Sequence, residues 1–362
     1  MKTLLKWSAV LGAVALVGGL IYKAPPAASR APSDLRDAVA DTALGDLHEA
    51  AGNNADEVPD PGVAQAGVNH GSVTGTLSSD RRAGTGTKAI YGEDDRLDYY
   101  RVPEEIKKLA DSVVSLWRRE NVEISGERAR LNVLTSQDLD LCRSERFFEQ
   151  PHGAFCSGAL ISDQIVLTAG HCVADEQKCR DTRFAFGYRM DFLGDYPGAL
   201  PASEVYGCKK ILKRSYDASV SMVDAMFNGG PGPDFALLLL DRKVTGHAPL
   251  SVDESGAYVK GGALFIIGHP IGLPVKVAAG AQIRDASPKY FFKADVDAFG
   301  GNSGSPVFNA RTKRINGILS RGIEDFVHVP SRNCKRTVWV SPEDDAGAEI
   351  TKISAVRKYI PH

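Results

Sequence analysis

The sequence predicts an all-β fold, a sandwich or a barrel, and two observations carry that prediction. Apolar runs of only a few residues recur along the chain with turn residues between them, as in Val113–Trp117, Ala159–Ile161, Ile165–Leu167, Phe235–Leu240, Ala263–Ile267, Pro306–Phe308 and Ile315–Leu319. Runs of that length form strands more often than helices. Helical spacing is almost confined to the end of the chain. Many short strands with few helical stretches belong to sandwiches and barrels.

Taken in order, the 362-residue chain opens with Lys2 and Lys6, followed by an uncharged stretch from Trp7 to Tyr22. That stretch is short for a spanning helix, which needs about 20 apolar residues, and suits a signal-peptide core. Residues 1–23 therefore read as a signal peptide or a signal anchor. The cleavage site is undefined, because Ala24 is followed by two prolines, and a membrane tether through residues 7–22 is the alternative. Either way the rest of the chain is expected outside the cytoplasm, secreted or periplasmic, where disulfides persist. Six cysteines fit that compartment.

From Ala24 to Lys88 there is no Phe, Tyr, Trp, Ile, Met or Cys. Such a segment buries too little apolar surface to offset the entropy of ordering, so residues 24–88 read as a disordered linker or prosegment. Aromatic residues return at Tyr91, and residues 89–362 read as the folded domain. Pro103–Asp111 is expected as a short helix. Ser162–Gln164 and Asn309–Thr312 are expected as turns between strands. At the end, Ile350, Ile353, Val356 and Ile360 form one apolar stripe, which predicts a C-terminal helix.

Hydrophobic content of 43% and charged content of 24% are ordinary, and net charge is −2. Nothing there calls for nucleic acid or an anionic membrane surface. The sequence carries no P-loop, CxxC pair or His-rich metal spacing, so no cofactor and no metal is expected. The acidic pair Asp94-Asp95 reads as a solvated turn, with a calcium site as the less favoured alternative.

Chemistry is concentrated in three places. Gly300–Phe308 (GGNSGSPVF) sets Ser303 between Asn302 and Gly304, ahead of an apolar run. A serine becomes a nucleophile only with a base beside it and a group that orients the base. Of eight histidines, His48 and His70 lie in the low-complexity segment and His362 is terminal. His152, His247, His269 and His328 sit in loop-like surroundings without an evident partner. His171 follows a buried-looking strand and a glycine turn, with Cys172 directly after it. Cys156, 16 residues before Cys172, is placed to staple the His171 loop, and closing a loop of that length is worth roughly 3 kcal/mol. Asp234 stands at the mouth of Phe235–Leu240 (FALLLL), where a carboxylate needs a partner.

Together, CSGALISDQIVLTAGHC around His171, DFALLLL around Asp234 and GNSGSP around Ser303 resemble the chymotrypsin-fold serine peptidases. The order His, Asp, Ser along the chain is also that fold's order. Within it, GGNSGSPVFN at Gly300–Asn309 and IYGEDDR at Ile90–Arg96 are similar to the bacterial V8-like and glutamyl-endopeptidase branch. The resemblance runs from about Ala89 to the C-terminus. It implies two six-stranded antiparallel β-barrels, one over roughly residues 110–245 and one over roughly 255–345. It implies His171, Asp234 and Ser303 as the triad, and the N–H groups of Gly301 and Ser303 as the oxyanion hole. Protein or peptide substrates follow. In trypsin an aspartate precedes the nucleophile and pairs with a new N-terminus; Asn302 has no charge for that switch. The resemblance points instead to removal of residues 24–88 by a cut after Lys88.

For specificity, Asp297 falls where trypsin-like alignments place the floor of the P1 pocket, which favours Arg or Lys. Phe299 replaces a disulfide cysteine of vertebrate trypsins. Ser320, Arg321 and Gly322 look like the strand that lines this pocket and pairs with substrate backbone, and Arg321 offers the alternative of an acidic P1 residue. Cys142, Cys179, Cys208 and Cys334 allow three pairings between them. Two other classes compete. An α/β-hydrolase is disfavoured by the chain order and by the missing final glycine of G-x-S-x-G. A peptidase-like domain that only binds a partner is disfavoured because all three triad residues are present.

Overall fold

Twelve strands, six in each half of the folded domain, close into two barrels. The computed structural model describes residues 89–216, 232–322, 325–341 and 347–361. The signal or anchor reading of residues 1–23, the linker reading of 24–88 and the cut after Lys88 lie outside the described residues. Among the described residues no helix is long and apolar enough to cross a membrane.

The first barrel is built from β1 (Val113–Arg118), β2 (Cys156–Ser162), β3 (Ile165–Thr168), β4 (Thr182–Ala185), β5 (Val205–Ser215) and β6 (Phe235–Leu240). The second is built from β7 (Ala263–Gly268), β8 (Lys276–Asp285), β9 (Phe291–Ala294), β10 (Pro306–Asn309), β11 (Ile315–Arg321) and β12 (Ala348–Lys352). All pairings within the barrels are antiparallel. Around the first the order is β1-β2-β3-β6-β5-β4, and around the second β7-β8-β9-β12-β11-β10. The two halves thus repeat one topology, although no repeat is visible in the sequence.

The apolar runs are explained by what each face of a strand meets. In β6, Ala236, Leu238 and Leu240 fill the first barrel with Val114, Leu160, Val166 and Phe184. Phe235 and Leu237 point the other way, into a seam shared with Phe265, Ile267, Phe308 and Ile318 of the second barrel. Successive side chains of a strand face opposite ways, so a strand between two cores is apolar at every position. Each Leu or Phe buried there contributes about 1.5–3 kcal/mol. The second barrel has its own core, with Leu264, Ile266, Phe292, Val307, Leu319 and Ile350.

The expected strands all form, as does the helix, which spans Glu104–Ala110 and buries Ile106 and Ala110. The end of the chain differs from the sequence reading. Ile350 belongs to β12, and the helix is confined to Ile353–Val356, followed by a 3-10 turn at Arg357–Tyr359. The apolar stripe is therefore shared between a strand and a helix: Ile350 packs in the second barrel, while Ile353 and Val356 pack in the seam. The closing strand of that barrel also lies beyond residue 345.

Three disulfides join Cys142 to Cys334, Cys156 to Cys172 and Cys179 to Cys208. The Cys156–Cys172 bridge is the one the His171 loop called for. Removing Cys142 and Cys334 together, which opens a separation of 192 residues, is expected to cost about 5 kcal/mol of stability in the chain-entropy model. Removing Cys156 and Cys172, 16 residues apart, is expected to cost about 3 kcal/mol. Urea unfolding of the two double-alanine variants measures the difference, and equal losses would contradict this entropic account.

Candidate active site

Strands β3 and β6 run antiparallel with Thr168 opposite Ala236. The residues that follow β3 and precede β6 are therefore neighbours. Gly170 makes the approach possible: a Cβ there would lie 2.4 Å from the Ser215 carbonyl oxygen. The next residue, His171, meets Asp234. The His171 backbone N–H donates to Asp234 Oδ1 at 3.1 Å, and its Nδ1 lies 2.8 Å from Asp234 Oδ2. Asp234 is fully buried, so its carboxylate is held by donors and not by water. An N–H on Nδ1 fixes the tautomer and leaves Nε2 as the acceptor.

Asp234 is fixed from behind by the second barrel. Its N–H donates to Thr351 Oγ1 at 3.2 Å, and its carbonyl accepts from Thr351 Oγ1 at 3.1 Å and Ser320 Oγ at 3.4 Å. The two hydroxyls lie 2.5 Å apart.

Ser303 sits in the loop ahead of β10, tied to both barrels. Its carbonyl accepts from the Ser157 N–H of β2 at 2.8 Å, and the Gly304 N–H donates to Leu319 of β11 at 2.8 Å. Gly301 and Gly304 have φ of 86° and 84°, a region favourable only to glycine. A Cβ at Gly304 would lie 2.2 Å from the Ser157 carbonyl, and one at Gly301 2.4 Å from the His269 carbonyl. The Gly300 carbonyl accepts from the Ile271 N–H at 2.5 Å. In a trans peptide the N–H points opposite the C=O, so the Gly301 N–H is turned away from Ile271. Asn302 is buried, and its Oδ1 accepts from Ser305 Oγ at 3.1 Å. His171, Gly300, Gly301 and Ser303 line one cavity of about 550 Å³, together with Cys156 and Cys172. This arrangement can position a base, an orienting carboxylate and a hydroxyl around one reacting carbonyl.

Asp297 requires a correction. It is buried, and its two carboxylate oxygens accept from the N–H groups of Tyr91 at 2.8 Å and Asp95 at 2.9 Å. It is absent from the lining of the cavity with Ser303. Counting back from the nucleophile found the position but not its neighbour, the segment from Ala89 to Asp98 that docks on the second barrel. Arg96–Asp98 pairs with β8, and Ile90–Tyr91 pairs with Trp339–Val340. The acidic turn is likewise not solvated. Asp94 is bonded to Arg96 at 2.8 and 2.7 Å and to Arg146 at 3.0 Å, and these guanidinium groups hold its carboxyl below the usual range against the opposing effect of burial. The Arg96 guanidinium lies 4.5 Å from the centre of the Phe299 ring. Burial and the nearby Asp94 push the Asp297 carboxyl well above the usual range.

Ser320 turns its hydroxyl towards the Asp234 carbonyl and Thr351 Oγ1. Arg321 pairs with Glu349 at 3.3 Å and donates to the Gly232 carbonyl at 3.3 Å. Gly322 is half-buried at the end of β11. Ser157, His269 and Thr351 were not singled out in the sequence. Ser157 Oγ donates to the Gly301 carbonyl at 2.8 Å and accepts from the His269 N–H at 3.0 Å. Burial holds the His269 imidazole down to about 3, so it stays neutral beneath the loop. His152 bonds Ser136 at 2.9 Å, and His247 bonds Glu204 at 2.7 Å. No local sequence signal marks these contacts, which join residues far apart in the chain.

Gly301→Ala is expected to lower peptide-bond hydrolysis by about 10²–10³ by displacing the donor beside Ser303; initial rates on an unstructured protein substrate measure it. Asp297→Asn tests the docked segment. Because the folded-state pKa of Asp297 is raised, its contribution to stability is full below the ordinary carboxylate value of 3.8 and is lost as pH rises through the folded value. Wild-type stability should therefore decline more steeply than that of Asp297→Asn as pH rises above about 4. Urea midpoints across that range check the slope, and parallel profiles would contradict it.

Residues 156–318 match the family model of the trypsin-like peptidase domain. No curated protein matches the chain. The solved structure of the VesB protease of Vibrio cholerae is similar at 15% identity and a TM-score of 0.40, over 69% of this chain and 62% of that one. The chain thus spans less than two thirds of that protein. The matched segment carries His171, Asp234 and Ser303, and with the two-barrel fold it supports a trypsin-like peptidase of the chymotrypsin fold.

Proposed function

We propose that this chain is an exported serine endopeptidase of the V8-like branch, acting on protein or peptide substrates through His171, Asp234 and Ser303. The observation that carries the reading is the 2.8 Å contact between His171 Nδ1 and the buried Asp234 carboxylate, in the cavity that Ser303 also lines. As Ser303 Oγ bonds to the scissile carbonyl carbon, its proton passes to His171 Nε2. Asp234 stabilises the imidazolium. The developing oxyanion is met by the N–H groups of Gly301 and Ser303. The C–N bond then breaks, His171 gives its proton to the leaving amine, and an ester to Ser303 remains. Water repeats the sequence, with His171 again taking the proton, and releases the acid.

Export is supported by the charged start, the uncharged stretch at residues 7–22 and three disulfides. Signal cleavage would give a secreted or periplasmic enzyme, and retention a membrane-tethered one. A start near Ala89 fits the burial of Ala89 and Ile90.

For P1, the basic preference loses its carboxylate, since Asp297 is occupied by Tyr91 and Asp95. The acidic alternative rests on Arg321, which like Asp297 does not line the cavity with Ser303. The Arg321 side chain keeps 25% exposure, and Glu349, its partner, is pushed up by burial. A substrate carboxylate can share the exposed part of the guanidinium with Glu349.

The test is digestion of a proteome-derived peptide library by the purified chain, with Ser303→Ala run in parallel and cut sites read by mass spectrometry. Cuts that vanish in the variant, with Glu or Asp at P1, are the expected outcome. Cuts after Arg or Lys would overturn the P1 reading alone. A folded wild-type chain that makes no cuts would favour the peptidase-like binding domain.

A further inference from the structure

A second cavity, of about 540 Å³, lies on the first barrel and is lined by Arg119, Arg180, Arg183 and Arg242 with a single carboxylate, Asp241. That carboxylate is already engaged: Oδ2 accepts from the Gly207 N–H at 2.9 Å and Oδ1 pairs with Arg242 at 3.2 Å. Arg242 also lies flat over Tyr206, 3.9 Å from the ring centre. Among the described residues the other three guanidinium groups form no direct ion pair, although Asp241 and Asp181 lie within electrostatic reach of Arg183. Arg183 donates only to the carbonyls of Arg180 and Thr182, each at 3.0 Å, and Arg180 donates to Gln177 Oε1 at 2.7 Å. The Arg119 side chain makes no hydrogen bond among the described residues. Burial and the Arg119 charge hold Arg183 below the usual arginine range. Asp241 and Asp181 offset this only in part; four guanidinium groups around one lining carboxylate still repel one another, and an arriving anion relieves that repulsion.

Its position links this cavity to the active-site cleft. Arg118 and Thr182 are partners across β1 and β4 and line the cleft with Ser303. Their chain neighbours Arg119 and Arg183 line the arginine cavity. The two cavities thus draw on adjacent residues of one strand pair. The volume exceeds that of one small anion.

We propose that the arginine cavity is an exosite for an acidic stretch of the polypeptide substrate, a stretch outside the residues that flank the scissile bond. The proposal rests on the peptidase reading for the word substrate, but its test does not need catalysis. A fluorescein-labelled oligoglutamate peptide is titrated into the full chain carrying Ser303→Ala, with an oligoserine peptide of equal length as the control. The same titration is run with Arg119→Gln and Arg180→Gln added; both residues are exposed, and circular dichroism checks the fold.

Oligoglutamate should bind more tightly than oligoserine and weaken as sodium chloride rises. It should lose at least about tenfold in affinity in the double arginine variant, the scale of one charge-assisted hydrogen bond. Equal binding of the two peptides, or unchanged affinity in the arginine variant, would overturn the exosite. Displacement of oligoglutamate by sodium sulfate, but not by sodium chloride at equal ionic strength, would assign the cavity to a small oxyanion and overturn the peptide assignment. Hydrolysis of a neutral peptide by the catalytically intact chain, with and without the two arginine substitutions, should be unchanged; this separates failure of the exosite from failure of the peptidase reading.

Discussion

A carboxylate with no access to water must be given donors, and Asp234 is such a group. Its burial would be costly without the His171 backbone N–H and imidazole. Those donors require the end of β3 to lie beside the start of β6, which the pairing of Thr168 with Ala236 provides. They also require a glycine at position 170, because any Cβ would strike the Ser215 carbonyl. The carboxylate that orients the base is thus also the reason for the local sequence, and chemistry and folding impose the same constraint.

The second barrel supplies what the first cannot. Thr351 and Ser320 come from β12 and β11, and they hold the Asp234 backbone by its N–H and carbonyl. Ser157 reaches in the opposite direction, from β2 to the Gly301 carbonyl and Ser303 carbonyl. His171 and Ser303, the proposed base and nucleophile, stand on different barrels, so their separation depends on how firmly the barrels are joined. The seam of Phe235, Leu237, Phe265, Phe308 and Ile318 provides that rigidity. Close packing there resists small displacements, and small displacements are what a catalytic geometry tolerates least.

The meeting of His171 with Asp234 and most of the first barrel were legible because their signals are local. FALLLL, GHC and GNSGSP each announce a constraint within a few residues. The pairing Cys156–Cys172 was legible for the same reason. β5 was not, since Lys209, Lys210, Lys213 and Arg214 interrupt any apolar run in its second half, where no residue is buried. β12 was misread as helix because Ile350 and Ile353 keep helical spacing while sitting in different elements. Thr351 and Ser157 left no trace, because a hydroxyl acting across 117 or 144 residues has no neighbour in sequence to reveal it. The four arginines of the second cavity are scattered from Arg119 to Arg242 and disappear in a net charge of −2.

Asp297 shows why position along a motif is weaker evidence than contact. Six residues before the nucleophile, it was expected to face a substrate; instead it faces the chain's own Tyr91 and Asp95. The Ala298 N–H then donates to the Ala89 carbonyl at 3.3 Å, and Phe299 lies under Arg96. The docked segment from Ala89 to Asp98 therefore grips the stretch that leads into Gly300 and Gly301. In trypsin an ion pair made by the residue before the nucleophile orders this loop, and Asn302 cannot make one. Here the same loop is held a few residues earlier by backbone donors on a buried aspartate.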